Sequence, residues 1–327
     1  MRDDPPSSGK WTLWGDPAEL APFVFAGATI AAWHGHPARR AGQADLFRVP
    51  RANVIVYLHQ MRPLLPGRSV TLIHDTIPLH FEARRVVRLA KWTFFAIVSR
   101  LSQAIVTVSA QSKEAIVRDL KVSRGRVLVV GLSVDPGRIA RIREMRAKPV
   151  RSDRVIYVGR FGVHKNLERL CQAFGTTDFC TRGGRMLLVG GSPDEVRRME
   201  AWLLECGIPG VEVHGFLPEH DLEQLFGTSR ALVQPSLEEG YGLPAVEAAA
   251  VGLPVAASRT GFSSEIPAGF ATYLDPYDVR SIAAAIDVAV ARPDPAPIFV
   301  PRSTLRAGFM EAVARVDRPP NRGGRRQ

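Results

Sequence analysis

Cysteine is scarce in this chain: three residues, Cys171, Cys180 and Cys206, out of 327. They show no CxxC or metal-ligand spacing, which argues against a disulfide framework or structural zinc and for a reducing compartment. No uninterrupted apolar run approaches the ~20 residues of a spanning helix. The first residues lack the basic-then-apolar order of a secretory signal. No self-similarity of solenoid period is present. The formal net charge is +11, which calls for an anionic partner or surface. No helix-turn-helix, zinc-finger or RNP pattern accompanies that charge, so nucleic acid is not the expected partner. A Gly-x-Gly-x-x-Gly word following a strand is missing too, which argues against a dinucleotide-dependent oxidoreductase.

What is present is a globular composition. With 46% hydrophobic residues in 327, the chain is long enough to bury two α/β cores. The second half reads as strands alternating with helical patterns. The strands are Arg154 to Gly159, Met186 to Gly190, Val211 to Gly215, Ala231 to Pro235, Pro254 to Ala257 and Ala271 to Leu274. This alternation predicts βαβ units on a parallel sheet. In the first half, Val70 to Pro78 reads as a strand ending in His74-Asp75. Ala104 to Ser109 and Val127 to Gly131 read as two more, and Trp11 to Trp14 as a later strand of such a domain.

The most informative segment is Pro235-Ser-Leu-Glu-Glu-Gly-Tyr-Gly-Leu-Pro-Ala-Val-Glu-Ala248. A buried strand leads into it, a Gly-x-Gly turn follows, and Pro244 opens an Ala-rich helix, where its preset φ is favourable. Amides at such a turn and helix start suit an anionic group. Glu239 and Glu247 flank the turn as acceptors for sugar or ribose hydroxyls. Upstream, Arg160 and Lys165 sit in the loop after the strand ending at Gly159, the edge where open α/β sheets bind ligands. Cations there would neutralise a leaving diphosphate.

Glu239 through Glu247, with Gly240-Tyr-Gly-Leu-Pro244 between and Gly252-Leu-Pro-Val255 after, resembles the Glu-x7-Glu signature of family 4 retaining glycosyltransferases, the group 1 type. The likeness covers the second half, including Gly215-Phe-Leu-Pro218 and Asp275-Pro276. It implies the GT-B fold: α/β, with two facing Rossmann-like domains. The expected division is an acceptor-side domain over 1–151, a nucleotide-sugar domain over 152–291, and a C-terminal helix and basic tail over 292–327. The family's opening strand and Gly-rich loop have no counterpart in the sequence, so the N-terminal domain is expected to lack its first βα unit.

The resemblance assigns roles residue by residue. Glu247 binds ribose hydroxyls, Arg160 and Lys165 the diphosphate, and the amides of Gly240, Tyr241, Gly242 and Leu243 phosphate or sugar. Glu239 contacts the transferred hexose, and His74 faces that sugar from the first domain. The implied donor is a nucleotide-diphosphate sugar such as a GDP- or UDP-hexose, mannose-like or glucose-like. The implied acceptor is a glycan or a lipid-linked glycan. Reaction is by front-face departure of the diphosphate through an oxocarbenium-like state, with no resident cofactor. No Asp-x-Asp word stands beside the site, so no metal is implied. The alternative is a non-catalytic or truncated GT-B protein that binds the nucleotide sugar without transferring it.

One basic stretch, Arg84 to Phe95, reads as a helix whose core stripe is Val87, Ala90, Phe94 and Ile97. Trp92 and Phe95 fall off that stripe beside Arg84, Arg88 and Lys91. A basic helix with extra aromatics suits peripheral contact with an anionic membrane, at the inner face of a cytoplasmic enzyme. A core helix with a solvated basic face is the favoured interpretation.

Overall fold

The computed structural model of the chain describes residues 11–15, 28–32, 54–57, 60, 67–132, 134–148, 152–259, 270–298 and 305–317. They fall into two compact units, Met1–Gly131 with Ser303–Gln327, and Leu132–Arg302.

The first unit carries a six-stranded sheet: β1 (Trp11–Gly15), β2 (Ala28–Ala32), β3 (Ile55–Tyr57), β4 (Ser69–Leu72), β5 (Ala104–Thr107) and β6 (Val127–Val129). The spatial order is β2-β1-β3-β4-β5-β6, with every pairing parallel. The short apolar runs of β3 to β5 are buried throughout, as expected of parallel strands covered on both faces. Trp11–Gly15 is not peripheral: as β1 it occupies the switch point from which the chain builds outward in both directions. Residues 16–27, which follow it, lie outside the described residues. Helices α1 (Ile77–His80), α2 (Arg85–Leu101) and α3 (Ala110–Leu120) follow β4 and β5. Ser109 caps α3, its hydroxyl accepting from the Ser112 amide, which satisfies one of the helix's orphan donors.

The expected core stripe of α2 is overturned. Its buried residues are Phe95, Ala96, Val98 and Ser99, while Ala90 and Ile97 are exposed. Only the C-terminal half reaches the core, where Phe95 and Val98 pack with Ile73, Ile105 and Ile116. Every position from Arg84 to Thr93 is exposed or half-buried, so apolar periodicity there does not report a core face.

The second unit has strands β7 (Arg154–Val158), β8 (Arg185–Val189), β9 (Val211–His214), β10 (Ala231–Gln234), β11 (Val255–Ser258) and β12 (Ala271–Leu274), all parallel, in the order β12-β11-β10-β7-β8-β9. Its helices are α4 (Pro136–Arg146), α5 (Leu167–Phe174), α6 (Asp178–Thr181), α7 (Pro193–Cys206), α8 (Glu219–Thr228), α9 (Leu243–Val251) and α10 (Val279–Ala291). The core joins Val155, Tyr157, Leu170, Phe174, Met186, Leu188, Val233 and Ile286. Burying each large apolar side chain of this kind is worth about 1.5–3 kcal/mol. The chain runs β7, β8, β9 to one side, then returns to place β10, β11 and β12 on the other. The switch point therefore lies between β7 and β10.

The unit begins earlier than residue 152 because α4 is bolted to it. Arg141 makes a bidentate pair with Glu223 of α8. Arg143 donates to the Ala250 carbonyl at 2.9 and 2.7 Å. Arg146 donates to the carbonyls of Phe226 and Ser229 at 2.9 and 3.1 Å. The last helix, α11 (Leu305–Asp317), returns to the first unit, burying Ala312, Val313 and Val316. There Gly308 lies so close to Val130 that an added Cβ would stand 2.2 Å from its side chain. The basic tail from residue 318 is outside the described residues.

Candidate functional site: the carboxyl ends of β7 and β10

In open α/β sheets the ligand crevice lies at the carboxyl ends of the strands, at the switch point. Here that edge is built by the loops after β7 and β10. The β7 loop is held tightly. Tyr157 is buried, and its hydroxyl donates to the Arg160 carbonyl at 2.9 Å. Burial first, then the Glu239 charge, raise the Tyr157 pKa well above the phenol's ordinary value, so the donor proton stays in place. Gly159 sits beneath this bond, and Gly190 after β8 approaches it so closely that a Cβ there would lie 2.6 Å from the Gly159 carbonyl. Only glycine permits that approach at φ +113.

Asn166 ties three strand ends together. It adopts φ 61, donates from Nδ2 to the carbonyls of Pro235 and Pro276, and accepts at Oδ1 from Arg169. The Leu237 amide donates to the His164 carbonyl at 2.7 Å, which joins the β7 and β10 loops directly. Burial first, then the Lys165 charge, lower the His164 pKa, so the imidazole is neutral near pH 7.

Each glutamate of the motif has its own cation. Lys165 Nζ stands 2.6 Å from Glu239 Oε1, with both side chains largely buried. Ser236 Oγ donates to the same oxygen at 2.7 Å, and Gln234 Nε2 does so as well. Lys165 thus spans the switch point from the β7 loop to the β10 loop. An ammonium has three donors, so the pairing leaves capacity toward a ligand oxygen. Arg160 is exposed, and no described carboxylate pairs with it. Burial works to raise the pKa of Glu195, the capping partner of Ser192 at the start of α7, but the Ser192 hydrogen bonds and then the Arg198 and Arg160 charges hold it below its ordinary value.

Glu247 lies in α9, a helix whose residues Ala245 to Val251 are all buried. Arg138 of α4 pairs with it through Nη1. Burial raises the Glu247 pKa, and the Arg138 charge and hydrogen bond work against that rise. The Arg138 guanidinium also lies 5.5 Å from the Phe226 ring centroid, within cation–π range. Its Nε and Nη2 are buried with no hydrogen-bond partner. Sequence reading missed Arg138 because it stands 109 residues from Glu247. Its one signal is position in the first turn of a helix after the Asp135 cap.

The turn between the glutamates has the expected form. Tyr241 is buried, and its hydroxyl donates to the Leu132 carbonyl at 2.9 Å. Gly240 completes the turn before it. Gly242 caps α9 at φ 74 and ψ 43, with Leu243 and Pro244 opening the helix. The Gly242 carbonyl accepts from the amides of Ala245 and Val246. Pro244 has no N–H, so the amides of Gly242 and Leu243 are the donors of this turn that no described residue engages. His74 belongs to the first unit, at the carboxyl end of β4. It is half-buried, and its carbonyl accepts from Thr107 Oγ1 at 3.0 Å. Among the described residues no group of three His, Cys, Asp or Glu side chains is placed to hold a metal ion.

Residues 139–299 match the family described as glycosyl transferases group 1. This stretch is a group 1 glycosyltransferase domain. Among curated proteins, the chain is 28% identical over 232 residues to O-antigen chain mannosyltransferase B of Escherichia coli, covering 67% of this chain and 60% of that protein. It is 23% identical over 256 residues to O-antigen chain mannosyltransferase RfbU of Salmonella typhimurium, covering 76% and 68%. The chain thus spans about three fifths of the first of these relatives. Among solved structures, Anabaena Alr3699/HepE in complex with UDP and glucose superposes with a TM-score of 0.64 at 18% identity, covering 87% of this chain and 90% of that one. WaaG, a glycosyltransferase involved in lipopolysaccharide biosynthesis, superposes at 0.61 and 18%, covering 91% and 84%. The fold is therefore GT-B. No helix among the described residues of the chain is long and apolar enough to cross a membrane.

Proposed function

We propose that the chain transfers a hexose, mannose-like or glucose-like, from a nucleotide-diphosphate sugar to a glycan or lipid-linked acceptor, with retention of configuration. The observation that carries this reading is the Lys165–Glu239 pair bridging the β7 and β10 loops at the switch point of a group 1 glycosyltransferase domain. The curated mannosyltransferases and the UDP-bound neighbour support it by likeness.

In this reading Glu247 accepts two ribose hydroxyls, while burial raises its pKa and Arg138 opposes that rise. The uncommitted cation Arg160, the remaining donors of Lys165 and the amides of Gly242 and Leu243 receive the diphosphate. Gly240 and Tyr241 shape the turn that carries them. Glu239, held by three donors, orients hexose hydroxyls and answers positive charge at the anomeric carbon. Preorganised groups of this kind act most strongly where charge develops in the transition state. As the glycosidic C–O bond breaks, the departing phosphate oxygen takes the bonding electron pair. That oxygen then accepts the proton of the acceptor hydroxyl arriving on the same face, so no protein base and no resident cofactor or metal is needed. His74 is the first unit's candidate for contact with the transferred sugar. The enzyme works at the cytoplasmic side of a membrane, in peripheral contact with it.

The test is turnover of UDP- and GDP-hexoses, with product configuration read by NMR. An α-linked product from an α-linked donor is expected. A β-linked product refutes retention. A second reading is nucleotide-sugar binding without transfer. Calorimetric binding with no turnover on any acceptor would favour it.

A further inference from the structure

Away from the donor site, the first unit holds an open cavity of about 690 Å³ under the exposed half of α2. Leu79 forms its floor, and Trp92 and Leu89 an apolar wall. Trp92 is fixed in place, its indole Nε1 donating to the Asp119 carbonyl at 3.2 Å. Four cations ring the opening: Arg85, Arg88, Arg118 and Lys121. The one carboxylate in the lining, Asp119, is already engaged. Thr76 and Arg118 donate to it, and His80 Nε2 lies 2.9 Å from it. No described carboxylate pairs with Arg85, Arg88 or Lys121.

Two further observations separate this surface from an ordinary solvated helix face. Val86 and Leu89 are 81% and 63% exposed. They lie three residues apart and lead to Trp92, so an apolar row runs along the basic side of α2, its Val86 and Leu89 side chains open to solvent. A small soluble anion has no use for such a row. Second, Lys121 caps α3 in the left-handed region, at φ 54 and ψ 41. Glycine is the residue that fits this position, and a side chain there is strained. Strain held at a residue is a pointer to use of its side chain, and this side chain reaches the cavity rim.

We propose that the cavity and the outer row of α2 dock an anionic lipid surface. A phosphate-bearing head group sits among Arg85, Arg88 and Lys121, while Val86, Leu89 and Trp92 enter the acyl boundary. Charge and apolar surface side by side on one helix face are what such an interface requires. This gives the membrane contact suggested above a location, and it stands or falls independently of the donor reading, because every residue involved belongs to the first unit.

The test is co-sedimentation of the full chain with vesicles of phosphatidylcholine alone and of phosphatidylcholine mixed with phosphatidylglycerol. Wild type should bind only the mixed vesicles, with a blue-shifted fluorescence component that Trp92→Phe removes. Each cation near an anionic surface contributes about fivefold in affinity, so Arg85→Glu with Arg88→Glu should weaken binding by more than about 25-fold. Lys121→Gly, a change that suits the backbone, should weaken it by about fivefold. Val86→Ser with Leu89→Ser leaves the charge intact and should still weaken binding. These positions are exposed, and unchanged circular dichroism confirms folding. Wild-type binding by the charge-reversed variant would overturn the proposal, placing attraction elsewhere, such as the basic tail. Wild-type binding by the Val86/Leu89 variant would refute acyl insertion. Displacement of the protein from vesicles by millimolar inorganic phosphate at constant ionic strength would show a small-anion site instead.

Discussion

Replacing Lys165 with methionine removes the cation that joins the two site loops. Lys165 and Glu239 are both largely buried, at 14% and 6% side-chain exposure. Removing one partner of a buried pair leaves an uncompensated charge and costs about 3–5 kcal/mol. Glu239 keeps the donors Ser236 and Gln234, which places the cost near the lower end, about 3 kcal/mol. A second change, Glu239→Gln, removes the stranded charge, and most of the loss should return. Native-state hydrogen exchange at the amides of β7 and β10 reads the stability of this unit alone. The Lys165→Met variant should exchange about a hundredfold faster there, at ~1.4 kcal/mol per factor of ten. The double variant should come back to within about tenfold of wild type. Equal exchange in the single and double variants would refute the claim that these residues form one coupled pair.

Other substitutions separate binding from stability. Arg160→Ala should weaken nucleoside-diphosphate affinity by about 1.5–3 kcal/mol with an unchanged melting profile, because its charge-assisted contact is made only to ligand; unchanged calorimetric affinity would remove it from the site. Glu247→Gln should lose affinity for the nucleoside part, and Glu239→Gln should spare nucleotide binding more than turnover; equal losses of nucleoside-diphosphate affinity would reverse that division. Arg138→Met should make nucleotide binding pH-sensitive at higher pH than in wild type. Burial already raises the Glu247 pKa and Arg138 opposes the rise. The carboxylate is a better acceptor for two hydroxyls than the protonated acid, so binding is strongest above that pKa and weakens as pH falls through it. A titration midpoint that does not move upward in the variant would contradict the role given to Arg138.

The sheets were legible in the sequence because parallel strands are short, continuously apolar and bounded by glycine. The runs ending at Gly159, Gly190 and Pro235 became β7, β8 and β10 within a residue or two. The glycine turn and its helix were legible for the same local reason. What escaped depends on long-range packing. The α2 stripe followed helical spacing, but half of that helix extends past the core, so periodicity there had no core to report. The first unit's use of α11 and the second unit's use of α4 could not be read from linear order. Lys165 read as a phosphate ligand; its pairing with Glu239 across the switch point needed the fold. Arg138 and Glu247 meet only because α4 packs beside α9, and no spacing rule joins them.

The central claim is that a nucleoside diphosphate sits at the carboxyl ends of β7 and β10. Hydrogen exchange with and without saturating UDP or GDP tests it most directly. The account predicts slowed exchange in the loop from Gly159 to Asn166 and from Ser236 through the first turn of α9, including Gly242 and Leu243, with the amides around β9 unchanged. Binding by calorimetry with no protection in either loop, or with protection centred on β9, would contradict it.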